Sequence, residues 1–217
     1  MSQSIDYSHI KHQIEALTNE QEDKRKKAFF QLQQAGFPAI KLLQEYLHDN
    51  NVQLRLAIVE LLSSFRSKEA LQLLVVLLKD RNKLIQNKAA LAIGESGFTE
   101  GIEPLLELLG KDEGEVSSNA IEGLIKFGTA AIPYLNLISV LNDKNWKRRS
   151  NAALALGKLG VPEVIEPFLS ALKDEEARVR CSVIKALGKL RATEAINPLY
   201  ECLEDEDHTV GQGAKGH

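Results

Sequence analysis

An aspartate returns through this chain at Asp49, Asp80, Asp112, Asp143, Asp174 and Asp205, at intervals of 31 or 32 residues. A second marker, the residue that closes each apolar stripe, falls at Gly36, Arg66, Gly97, Gly128, Gly160 and Arg191, at intervals of 30 to 32. Two markers with one period mean that the chain is an array of copied units. A unit of about 31 residues cannot bury both of its faces alone, so it must stack on its neighbours.

Within a unit the apolar residues recur at helical spacing. "GIEPLLELLGKD" and "VIEPFLSALKD" carry them at i, i+3, i+4 and i+7, the stripe of an amphipathic helix. Pro104, Pro167 and Pro198 fall in the first turn of such helices, where no N–H is missed. After each aspartate a second stripe follows, as in Val179, Val183, Ala186, Leu187 and Leu190. A small residue recurs on it at Ala92, Gly123, Ala155 and Ala186, which lets neighbouring helices approach closely. The expected fold is all-α: a right-handed α-solenoid of about six to seven stacked antiparallel helical hairpins, over 5–38, 39–69, 70–100, 101–130, 131–162, 163–194 and a partial 195–217. All of 1–217 is expected to form one repeat domain. Glycines 211, 213 and 216 disfavour a helix in the last unit, so the array is expected to fray or stop short there.

The residues "AIPYLNLISVLNDKNWKRRSNAALALGKLGVPEVIEPFLSALKDEEARVRCSVIKALGKLRATEAI" resemble HEAT repeats, in the short form of the phycobilin-lyase-like family. The likeness is weaker over 39–130, and over 1–38 only the period matches. It implies a solenoid whose second helices line the concave side. Its relatives range from protein adaptors and bilin lyase subunits to metal-dependent hydroxylases. The hydroxylases hold iron through repeated His-Glu pairs, but none of His9, His12, His48, His208 and His217 is followed by Glu. His9 and His12 read as solvated surface histidines, and no metal site is expected. The likeness also implies a ladder between turn aspartates and second-helix arginines, drawn here from Asp49, Arg55, Asp143, Asp174 and Arg180. The arginine position reads Arg55, Gln86, Ser117, Arg149, Arg180 and Gly211, so the ladder is half complete. The aspartates also stand where a helix N-terminus favours a carboxylate.

One copy breaks the pattern. The apolar position opening the second helix reads Leu54, Ile85, Val116, Arg148, Val179 and Val210, and the single tryptophan, Trp146, lies two residues before the arginine. Two explanations stand. In one, Trp146 fills the hole of the missing aliphatic side chain and Arg148 turns outward. In the other, Lys144, Trp146, Lys147, Arg148 and Arg149 form a basic and aromatic partner-binding patch, since Trp and Arg are enriched at binding hot spots. The run "EDKRKK" reads as a solvated end face ahead of a helix beginning near "AFFQLQQAG".

The formal net charge of −3 argues against nucleic acid as the main partner. Cys181 and Cys202 have no metal or disulfide spacing and are expected to be buried thiols. No run is apolar enough for a membrane span, and the N-terminus lacks the apolar core of a signal peptide, so a cytoplasmic location is expected. Phosphate-loop, nucleophile-elbow and zinc-protease motifs are absent. The reading is a non-catalytic protein-binding scaffold without a cofactor, its partner another protein with an acidic surface. The family resemblance leaves a bilin lyase subunit or chaperone-like factor as an alternative, with a bilin ligand and another repeat protein as hetero-dimer partner. Nucleic-acid binding through the local basic patch is a second alternative.

Overall fold

The computed structural model describes residues 6–110, 114–128 and 137–215, and among the described residues the regular structure is helical, with no strand. The chain divides into two compact units, Met1–Gly101 and Ile102–His217.

The first unit holds three antiparallel hairpins. Helix α1 (Tyr7–Ala16) pairs with α2 (Glu22–Ala35). Helix α3 (Phe37–Leu43) packs on α1 and α2 and leads through a 3₁₀ turn at Gln44–Tyr46 to α4 (Val52–Phe65). Helix α5 (Lys68–Leu77) pairs with α6 (Lys83–Ser96). Its core is a continuous aliphatic seam. Ile58, Leu61 and Leu62 of α4, Leu74 and Leu77 of α5, and Ile85 and Ile93 of α6 are all at most 1% exposed. Each such burial contributes about 1.5–3 kcal/mol. The "EDKRKK" run does not precede α2 but forms its first turns. Glu22 and Lys26 pair there at 2.6 Å, and Arg25 donates to the Asn19 and Glu20 carbonyls, so the charged residues start the helix themselves.

The second unit continues the pattern. Helix α7 (Ile102–Leu108) pairs with α8 (Gly114–Lys126). Helical residues 137–140 precede α9 (Trp146–Leu159). Helix α10 (Ile165–Ala171) pairs with α11 (Ala177–Leu190), and α12 (Ile196–Glu201) with α13 (His208–Lys215). Helices α9 and α11 lie directly on each other. A Cβ on Gly157 would stand 2.6 Å from the Ala186 Cβ and 2.8 Å from its Cα, so this crossing requires the glycine.

Helix α13 corrects the expectation of a frayed end. Asp207 accepts from the Thr209 backbone N–H at 2.8 Å and Val210 is fully buried, so capping and packing outweigh the glycines' low propensity. Gly211 itself has a reason: a Cβ there would meet the Leu203 carbonyl oxygen at 3.0 Å. Cys202 is buried, and that burial pushes its thiol pKa up, but Cys181 is only half-buried, on the face of α11 near the Thr209 hydroxyl. Asp112, the Val116 side chain, His217 and the start of the 131–162 hairpin lie outside the described residues.

Candidate functional site

Each turn aspartate organises its own corner. The carboxylates of Asp49, Asp80, Asp143, Asp174 and Asp205 accept the backbone N–H two residues on, at 2.7–2.9 Å. The residue reached is Asn51, Asn82 or Asn145 in three cases, and its side chain then caps the helix. The aspartate thus shapes the approach to the helix, and the asparagine is the cap, which reading by residue type alone had assigned to the aspartate.

The ladder is laid over these corners. Arg149 donates through Nε and Nη2 to both Asp174 oxygens, each at 2.7 Å, and through Nη1 to the Asp143 carbonyl at 2.9 Å. Arg180 repeats this with Asp205, at 2.9 and 2.7 Å, and with the Asp174 carbonyl at 2.8 Å. In the first unit Arg55 does the same with Asp80, at 2.7 and 3.1 Å, and with the Asp49 carbonyl. Each guanidinium therefore ties its own turn to the aspartate of the following hairpin. The three arginines are buried, and two-point geometry is what makes such a pair favourable after desolvation. The hydrogen bonds to Asp174 and Asp205 raise the pKa of Arg149 and Arg180, and Arg180 holds the Asp205 carboxyl below its ordinary value. Of the residues named from sequence, Asp49 serves through its carbonyl and its turn. Asp80 and Asp205 are the acceptors that pairing within single units misses.

Arg148 has a place in this scheme. Ser117 stands at the ladder position of α8 and donates to the Leu108 carbonyl at 3.2 Å, so no guanidinium comes from there to Asp143. Arg148 supplies one from the same hairpin: its Nη1 lies 2.9 Å from the Asp143 carboxylate, with both side chains about a quarter exposed. The stem crosses Gly110, where a Cβ would meet the Arg148 Cγ at 2.9 Å. Its buried Nε meets no acceptor among the described residues, a cost of placing an arginine where the copies have an aliphatic side chain. Arg148 therefore neither turns freely outward nor leaves Trp146 to fill its slot.

Trp146 is half-buried at the start of α9. The Arg178 guanidinium of α11 sits 4.9 Å from its ring centroid and the Lys147 ammonium 5.4 Å. Lys144 is exposed on the preceding turn. The structure thus gathers Lys144, Trp146, Lys147 and Arg148 at one corner, adds Arg178 to them, and places Arg149 beneath as a buried strut. His9 and His12 are exposed on α1, and among the described residues no group of three or more His, Cys, Asp or Glu is placed to hold a metal ion. No helix of the described residues is long and apolar enough to cross a membrane.

The family of HEAT repeats matches residues 10–82, 73–136 and 134–214. The chain belongs to that family. Among solved structures it is similar to Kap95p in complex with RanGDP, with a TM-score of 0.60 and 14% identity over 95% of this chain and 35% of that one. It therefore spans about a third of that protein's length. Human deoxyhypusine hydroxylase with glycerol aligns at a TM-score of 0.43 and 18% identity, over 97% of this chain and 94% of that one. The CpcE–CpcF complex of phycocyanin lyase from Nostoc sp. PCC7120 gives 0.43 and 22%, over 82% of this chain and 74% of that one. No curated protein sequence matches the chain.

Proposed function

We propose that this chain is a protein-binding scaffold whose contact surface is centred on Trp146, with Lys144, Lys147 and Arg148 around it, Arg149 bracing it from below, and an acidic partner surface above. The observation that carries the reading is the half-buried tryptophan with Arg178 at 4.9 Å and Lys147 at 5.4 Å from its ring. Cations over an indole ring contribute about 0.5–1 kcal/mol each at exposed sites, and they hold the ring and the positive charges in one prepared arrangement. A partner carboxylate can then reach fixed cations without ordering them first, which is where preorganised surfaces gain affinity. The HEAT fold supports this reading, since stacked hairpins present long surfaces for protein recognition. A tetrapyrrole stacking on Trp146 would compete with these cations for the ring.

Capture of partners from a native lysate, read by mass spectrometry, tests the proposal. Lys144→Glu with Trp146→Ala should lose the specifically captured protein while the circular dichroism spectrum stays unchanged. Undiminished capture by that variant overturns the assignment of this corner.

A further inference from the structure

Helices α9 and α11, "WKRRSNAALALGKL" and "ARVRCSVIKALGKL", contain no acidic residue. Their cations divide into two sets. Arg149 and Arg180 are buried in the ladder, Arg148 faces Asp143, Lys158 pairs with Glu122 of α8, and Lys147 lies against the Trp146 ring. Arg178, Lys185 and Lys189 are exposed and have no carboxylate partner among the described residues. At about 100° per residue, positions i, i+7 and i+11 return to within about 20° of one line, so these three cations form a single stripe along α11. Arg178 starts the stripe, and it is the residue that covers Trp146. The acidic residues of these hairpins lie elsewhere, on the turns (Asp174, Glu175 and Glu176; Asp205, Glu206 and Asp207) and on the first-helix segments (Glu163, Glu166, Glu194, Glu201 and Glu204).

We propose that the exposed α11 stripe, running from Trp146 and Arg178 through Lys185 to Lys189, is a track for an extended acidic peptide segment of the protein partner. This rests on the reading of the Trp146 corner as a contact surface and extends it across the helix. The spacing sets the register. With a rise of about 1.5 Å per residue, Lys185 lies about 10 Å from Arg178 along the helix and Lys189 about 16 Å. An extended peptide in the polyproline II conformation rises about 3.1 Å per residue and repeats its face every third residue, so carboxylates at positions i, i+3 and i+6 lie about 9 and 19 Å along one face, within reach of the three flexible cations. Nucleic acid is disfavoured because the track offers few phosphate contacts on a chain whose net charge is −3.

Fluorescence polarisation with the labelled peptide (Glu-Ala-Ala)₄ tests the track on the whole chain. Lys185→Glu with Lys189→Glu should weaken binding at least tenfold, and Lys88→Glu in the first unit should leave it within twofold. A peptide of the same composition with its glutamates in one block should bind more weakly than the spaced one. Equal binding by the Lys185/Lys189 variant, or tighter binding of a twelve-nucleotide single-stranded DNA that is lost in the same variant, overturns the proposal. Loss of peptide binding in the Lys185/Lys189 variant, beside normal lysate capture by the Lys144/Trp146 variant, keeps the track and removes the corner.

Discussion

Helices α4 and α6 of the first unit and α9 and α11 of the second occupy equivalent places in their stacks, yet their surfaces differ. On the first pair, Glu60 of α4 meets Lys88 of α6 at 3.2 Å, and the exposed charges neutralise one another across the crossing. On the second pair every charged side chain is a cation. Beneath both surfaces the same device operates: Arg55 grips Asp80 as Arg149 grips Asp174. The buried layer is copied because it holds the stack together. The exposed layer has been free to diverge, so recognition should be sought where the surfaces differ and stability where the interiors agree.

The most severe way to test that comparison is to cut the shared layer. Arg55→Ala and Arg149→Ala should each cost about 3 kcal/mol, because each leaves a buried carboxylate without its partner. Denaturant unfolding checks this, with circular dichroism following both units and fluorescence of the single tryptophan following the second. Losses that differ several-fold would break the equivalence. Next in size is Asp205→Asn, expected to cost about 2 kcal/mol at neutral pH. Arg180 depresses the Asp205 pKa below its ordinary 3.8, so the folded chain holds that proton less tightly than the unfolded one. The stabilisation is therefore complete above the ordinary value and declines as pH falls through the depressed one. The stability gap between the chain and the Asp205→Asn variant should be constant above about pH 5 and should shrink steadily below about pH 4, as melting curves across that range would show. The smallest effect sharpens the account of Arg148. Arg148→Val should cost about 1 kcal/mol by removing the cation beside Asp143. Ser117→Arg added to it should recover little of that loss, because 117 to Asp143 spans one residue more than each observed rung, and a double-mutant cycle measures the coupling.

Much of the fold was legible in the sequence because the period is carried by residues with local jobs. The aspartate shapes the turn, and the closing residue adopts a left-handed conformation, with φ of 63° to 74° at Gly36, Gly97, Gly128 and Gly160 and 45° and 51° at Arg66 and Arg191. Helix α13 was not legible, because its stability lies in the Asp207 cap and the burial of Val210, which propensity does not see. At the candidate site the sequence marked Arg148 as a departure but not its cause. The signal was present as a serine at 117 followed by an extra arginine five residues after Asp143, yet it becomes meaningful only once the ladder is known to run to the next hairpin. The contact of Arg178 with Trp146 crosses between helices and left no trace in local spacing.

The ladder also works as a length gauge. Its three described rungs, Arg55 to Asp80, Arg149 to Asp174 and Arg180 to Asp205, each span 25 residues. From Ser117 to Asp143, where the arginine is missing, the span is 26. A one-residue insertion in the connection at 161 or 192 would pull a carboxylate out of reach of its fork, whereas the connection after Gly128 has no such caliper across it. Changes in repeat length, natural or engineered, should therefore accumulate at connections without a fork, and the forked ones should keep their count while their surface residues change.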